Sequence, residues 1–176
     1  MEWFTSDTHL GHKNIIVYSK RPFSHVNEMN EAIINNWNER IKPNDDVYHL
    51  GDFGLAPLFK LQEWFDRLNG QKHLILGNHD KDIKKVRGWV WIKDYHRLHI
   101  GEDRIILFHY GMRVWDRSHH GSIQLYGHSH GSLPGDSQQL DVGVDCWNFR
   151  PVNLKEIKAR LKTLPERYLE LLDSND

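Results

Sequence analysis

The chain has 176 residues, with 23 Lys and Arg against 24 Asp and Glu and a formal net charge of −1. That length predicts one domain over 1–176, and the charge balance excludes a general attraction to nucleic acid or anionic lipid, so neither a stable nucleic-acid complex nor a membrane partner is expected. A lone cysteine, Cys146, excludes an intrachain disulfide framework, no apolar run approaches the roughly 18 residues of a membrane helix, and Met1-Glu2-Trp3-Phe4 lacks the basic start of a signal peptide, so a cytoplasmic location is expected.

Residues 3–6 read as the first strand, ending in Asp7-Thr8-His9-Leu10-Gly11-His12. Asp7 and His9 point to one side if the chain stays extended. Ser24 suits the cap of a helix carrying Val26, Met29, Ile33, Trp37 and Ile41 on one face, which Pro43-Asn44-Asp45 breaks. A second strand, 47–50, closes on Gly51-Asp52. Pro57 then suits the first turn of a helix with Leu58, Leu61, Phe65 and Leu68 toward the core. Asn69-Gly70 ends that helix, and a third strand, 74–76, stops in Gly77-Asn78-His79-Asp80. The rhythm to this point is βαβαβ, that of an α/β sheet.

Residues 95–100 and 104–108 flank Gly101-Glu102-Asp103, a hairpin signal, with His109 at the end of the second arm. Residues 111–121 form a polar loop containing Arg113, Trp115, Arg117, His119 and His120. A strand over 123–126 closes on Gly127-His128-Ser129-His130-Gly131, and 140–144 reads as the last strand. Asn153 with Glu156 marks the start of a helix carrying Leu154, Ile157, Leu161 and Leu164. Pro165 interrupts it before a final apolar-acidic turn. Internal repeats, linkers and low-complexity segments are absent from the sequence.

The 13 histidines form no tag or tract and sit mostly beside short apolar runs, the distribution of a site assembled from several loops. Strands that stop in Gly-Asp, Gly-Asn-His-Asp or Gly-His-Ser-His aim these groups into the crevice at the carboxyl edge of a sheet. Taken singly, each block is equally a turn, because Gly, Asn and Asp favour turns. Together they supply carboxylates, an amide oxygen and imidazoles, with no sulfur. Such a set suits manganese, iron or zinc rather than an iron–sulfur or all-thiolate site. One carboxylate can lend an oxygen to each of two metals roughly 3.5–4 Å apart.

In order and spacing, Asp7-Thr8-His9, Gly51-Asp52, Gly77-Asn78-His79-Asp80, the lone His109 and Gly127-His128-Ser129-His130 resemble the calcineurin-like metallophosphoesterase superfamily. The likeness runs from Asp7 to His130 and is greatest to the small, uncapped bacterial and phage members, which the tail over 142–152 also resembles. It implies an α/β fold, a four-layer α/β/β/α sandwich with two mixed β-sheets. It further implies two divalent ions, manganese favoured and iron, zinc or nickel as alternatives. Asp7, His9 and His130 would hold the first and Asn78, His109 and His128 the second, with Asp52 as the bridge. His79 would donate a proton to the leaving oxygen, which makes His79 and Asp52 the catalytic candidates. The protein phosphatases of the superfamily continue Gly-Asp with an acid and an arginine, where this chain has Leu55 and Ala56. A phosphoprotein phosphatase is therefore not expected, and the group that positions His79 is open.

The function so implied is a metal-dependent phosphoesterase that hydrolyses a phosphate ester, a phosphodiester or small nucleotide favoured, through in-line attack of a metal-bridging hydroxide. A phosphomonoesterase acting on a nucleotide or small phosphate is the alternative enzyme. A non-catalytic binding scaffold on the same fold is the other alternative, although such scaffolds lose ligands and this chain keeps them. Asn78, His12 and Arg113 are the substrate-binding candidates, Arg113 through the planar fork it can offer phosphate oxygens, and Asn14 lies near enough to join them. His49 is expected as a supporting or core group, Trp115 and Trp147 as core, and Lys155, Lys158, Arg160 and Lys162 as a solvated helix face.

Overall fold

The computed structural model describes residues 1–167 and places the strands in two mixed sheets. In the first, β1 (Glu2–Thr5), β2 (Asp46–His49), β3 (Gln71–Ile75) and β4 (Trp91–Lys93) run parallel, and β9 (Val152–Asn153) pairs antiparallel with β1. In the second, β5 (Tyr95–Ile100) is antiparallel to β6 (Asp103–Phe108), while β7 (Ile123–Tyr126) and β8 (Gln139–Asp141) continue from β6 in parallel. The helices are α1 (Ile15–Tyr18), α2 (Val26–Arg40), α3 (Leu58–Arg67) and α4 (Leu154–Leu161).

Strand alternation assigns the layers. Trp3, Val47 and Leu74 face one core with Met29, Ile33 and Trp37 of α2 and Leu61 and Phe65 of α3. Their neighbours Phe4, Tyr48 and Ile75 face the other core, against Ile105, Leu107 and Leu125 of the second sheet. Both faces of β1 to β3 are thus buried, as in a parallel sheet covered on two sides, and their sequences read as apolar runs for that reason. Ile157 and Leu161 of α4 close one end of the inter-sheet core. On the outer face of the second sheet the loop after β6 packs over Gln124, whose Oε1 accepts the Met112 N–H at 3.2 Å, and its Trp115 is buried and donates to Ser122 Oγ at 3.0 Å.

Several local expectations need correction. Leu58 is 40 % exposed and Trp64 takes the inward place on α3. The residue at the cap of α2 is His25, and Ser24 contributes a backbone N–H that donates to the Glu28 carboxylate at 2.8 Å. The short elements α1 and β4 fall where no element was expected. β8 stops at Asp141 because that carboxylate accepts the Gly143 N–H at 2.7 Å and turns the chain; the last strand is β9. The expected start of α4 is present as a full capping box between Asn153 and Glu156. Leu164 lies beyond the helix but packs on the same core. The final apolar-acidic turn lies outside the described residues. Among those described, no helix is long and apolar enough to cross a membrane.

Candidate metal centre

The parallel pairing of β1, β2 and β3, and of β6 and β7, brings the expected blocks to one edge of the two sheets. A bridge between Ser6 and Gly143 joins the sheets there. The chain after β1 does not stay extended. Asp7, His9, Asp52, His128 and His130 take left-handed backbone conformations, with φ of 56°, 49°, 58°, 65° and 47°. Such angles cost a non-glycine residue on the order of 1–3 kcal/mol and persist only where the surroundings enforce them. Here Asp7 N–H donates to Gly51 C=O at 2.9 Å and His9 N–H to Asp52 C=O at 3.0 Å, which locks the two loops together. The glycines leave room for the carboxylates: a Cβ at Gly77 would collide with Asp52, and one at Gly127 with Asp7.

The side chains converge on Asp52. Its Oδ1 accepts the His79 backbone N–H at 2.9 Å. Its Oδ2 lies 3.6 Å from His9 Nε2 and 3.6 Å from His109 Nε2. Asp7 Oδ2 accepts the His128 N–H at 2.9 Å, which leaves Oδ1 facing His9 Nε2 at 3.9 Å. A carbonyl can only accept, so His109 donates from Nδ1 to Leu50 C=O (2.6 Å) and presents Nε2 to the cavity. By the same logic His130 donates from Nδ1 to Asp145 Oδ2 (2.7 Å) and presents Nε2. Asn78 Oδ1 stands 3.1 Å from His109 Nε2. Two groups result, Asp7 with His9 and His130, and Asp52 with His109 and His128, the ligand atoms within each lying within 4.8 Å of one another.

These residues fit divalent cations. Asp7 Oδ1 and His9 Nε2 are buried and have no hydrogen-bond partner among the described residues, a costly arrangement for the polypeptide alone. Burial pushes the Asp7 carboxyl up to about 7 and the His9 imidazole down to about 2. Burial also raises Asp52, but the nearby His109 and the His79 N–H outweigh it and hold that carboxyl below its usual range. Burial lowers His109, but the neighbouring Asp52 and Asp7 carboxylates outweigh it and leave that imidazole raised. A protein that keeps an unpartnered buried carboxylate oxygen beside an unpartnered neutral imidazole nitrogen has placed donors for a metal.

A cavity of ≈ 690 Å³ opens over the two groups and is lined by His12, Asn14, Asp52, Asn78 and His79, among others. His12 Nδ1 lies 3.2 Å from His9 Nδ1, and the His79 ring stands exposed at the mouth. Arg113 is exposed and does not line this cavity; its carbonyl accepts from Arg167 at 2.5 Å. His49 is buried with Nε2 2.9 Å from Thr8 Oγ1, a supporting place as expected. Trp147 is half-buried and donates to Asp141 C=O at 2.9 Å.

The supporting residues are largely ones that sequence reasoning missed. Asp80 is buried and accepts N–H bonds from Gly77 (2.8 Å), Asp52 (2.8 Å) and Phe53 (3.0 Å), which joins the loops after β2 and β3. Arg21 donates to Asp7 C=O at 2.7 Å and Thr8 C=O at 3.1 Å, and grips Asp145 through Nε and Nη2 at 2.8 Å each. Asp145 in turn orients His130. Asp141 accepts from Ser129 Oγ at 2.6 Å and Gly131 N–H at 3.0 Å, fixing the histidine loop after β7. Asp80 lies within the Gly-Asn-His-Asp block and carried a signal; nothing local marked Arg21.

The profile of the family described as the calcineurin-like phosphoesterase superfamily domain matches residues 3–150. An uncharacterized protein of Methanocaldococcus jannaschii is 34 % identical over 161 residues, covering 86 % of each chain. The Gene 66 protein of Mycobacterium phage L5 is 27 % identical over 190 residues, covering 88 % of this chain and 91 % of its own. Among solved structures, a protein of unknown function from Aquifex aeolicus superposes with a TM-score of 0.73 at 25 % identity, covering 91 % of this chain and 98 % of that one.

Proposed function

The chain belongs to the calcineurin-like phosphoesterase superfamily, and on that premise we propose that it hydrolyses a phosphodiester, of small-nucleotide size, at a two-metal centre. Asp7, His9 and His130 would hold one divalent ion and Asn78, His109 and His128 the second, with Asp52 shared. Manganese suits this oxygen and imidazole set. The observation that carries the reading is Asp52 Oδ2, at 3.6 Å from a nitrogen of each group.

Bound there, the ions would polarise the phosphoryl oxygens and lower the pKa of a water. The chain's own residues do the rest. The His79 N–H holds Asp52 Oδ1, so that carboxylate keeps one orientation. Leu50 and Asp145 fix the tautomers of His109 and His130. The exposed His79 ring, at the mouth of the cavity, is placed to give a proton to the departing oxygen. His12 and Asn14 line the same cavity and offer polar groups to the phosphoryl oxygens. A diester is favoured over a monoester because the space continues beyond the ligands along α1, where a second ester substituent fits.

The test is hydrolysis of bis-p-nitrophenyl phosphate and p-nitrophenyl phosphate by protein stripped of metal and reloaded with Mn²⁺. The diester is expected to have kcat/KM at least equal to the monoester, and both activities to vanish on chelation. Monoester hydrolysis alone overturns the diester preference, and no hydrolysis with metal bound overturns the enzymatic reading.

A further inference from the structure

The chemistry proposed above engages the half of the cavity that holds the ligands and asks of the half built by α1 only room for a second ester substituent. That half carries Tyr18 and Lys20. Tyr18 leaves 71 % of its surface exposed and meets the edge of His12, with ring centroids 6.4 Å apart. A large ring left open beside a phosphoester centre offers a flat apolar face to a ligand.

Lys20 occupies an expensive position. After α1, Arg21 N–H donates to Ile16 C=O at 2.8 Å and Lys20 N–H to Val17 C=O at 3.3 Å. This pair of bonds closes a helix around a left-handed residue, a place where glycine is favoured. Lys20 sits there with φ of 51°. The chain therefore forgoes the stability that glycine would supply and keeps an exposed lysine in the lining of the cavity. Its position relative to the metal loop is set by the next residue, since Arg21 is buried against Asp7 and Thr8 carbonyls and Asp145.

An exposed aromatic face and a cation, on one rigid turn beside the scissile phosphate, match the base and the second phosphate of a nucleotide. Resting on the phosphodiesterase reading, we propose that the α1 turn is a nucleoside subsite, in which Tyr18 stacks the base and Lys20 pairs with a neighbouring, uncleaved phosphate.

Three p-nitrophenyl diesters test it with Mn²⁺-loaded protein: methyl p-nitrophenyl phosphate, thymidine 5′-(p-nitrophenyl phosphate), and the latter with a 3′-phosphate. Wild type is expected to favour the thymidine esters, the 3′-phosphorylated one most. Tyr18→Ala should raise KM for the thymidine esters about tenfold more than for the methyl ester. Lys20→Gly should erase the advantage of the 3′-phosphate while the melting temperature holds or rises, because glycine suits the left-handed turn. Lys20→Arg should keep the advantage. Hydrolysis of all three esters without preference for thymidine, or KM changes equal across them, overturns the subsite and leaves the diesterase reading standing. If no ester is cleaved, that reading fails instead, and calorimetric binding of thymidine 3′,5′-bisphosphate decides the subsite. Binding weakened by both Tyr18→Ala and Lys20→Gly supports it, and absent or unchanged binding overturns it.

Discussion

His79 offers two different groups to the candidate centre. Its backbone N–H restrains Asp52 at 2.9 Å, while its ring stands exposed at the cavity mouth. A substitution of the side chain would therefore separate the proposed proton transfer from metal binding. General acid catalysis contributes about 10²–10⁴-fold where the leaving oxygen needs a proton. We expect His79→Gln to lose a factor in that range on an alkyl or nucleoside ester and clearly less on a nitrophenyl ester, whose anion leaves largely unaided. Metal content should be unchanged, since the N–H remains. Equal losses on both esters would assign His79 a positioning role, and lost metal would make it a ligand. At this scale the sequence was most legible where the groups are neighbours in the chain. Asp7 with His9, Asn78 with His79, and His128 with His130 each lie in a short block that a strand end explains. Arg21 was not legible, because its meaning comes from Asp145, 124 positions away, and an isolated arginine carries no local signal.

The elements that carry the site are held by carboxylates acting on backbone N–H groups. Asp80 is the clearest case, with Gly77, Asp52 and Phe53 as its donors. Asp80→Ala leaves those N–H groups buried and unmet, a loss of about 3 kcal/mol or more, readable as a lower urea midpoint and accompanied by weaker metal uptake. Asn153→Ala removes the cap of α4 and should cost about 1 kcal/mol, with metal uptake preserved. If Asp80→Ala proves as mild as the cap variant, the loops are held by something else. Strands β1 to β3 were readable because both their faces are buried, and the capping box of α4 was readable because its two members are three residues apart. The short α1 and β4 were not, since neither is long enough to show a period. β8 was read too long because nothing in an apolar run announces that Asp141 will bend back onto Gly143. The left-handed angles at Asp7 and His9 likewise arise from the bonds of their N–H groups to Gly51 and Asp52 in the loop after β2, not from their own residue types.

At the scale of the whole molecule the candidate centre is a joint between two sheets. Asp7, His9, Asp52 and Asn78 follow strands of the first sheet, and His109, His128 and His130 follow strands of the second. Each proposed ion takes ligands from both, so its binding free energy adds to the stability of the sandwich. A ligand present at a hundredfold its Kd stabilises a fold by about 2.7 kcal/mol. Chelation should therefore lower the melting temperature, and Mn²⁺ should restore it; a melting temperature indifferent to metal would show that the ions do not link the sheets. The sharing of Asp52 between the two proposed ions is tested by counting metal per chain in Mn²⁺-loaded wild type and Asp52→Asn. Two ions in the wild type, with marked loss of occupancy in the variant while its circular dichroism stays native, is the predicted result. Two fully occupied sites in Asp52→Asn would contradict it.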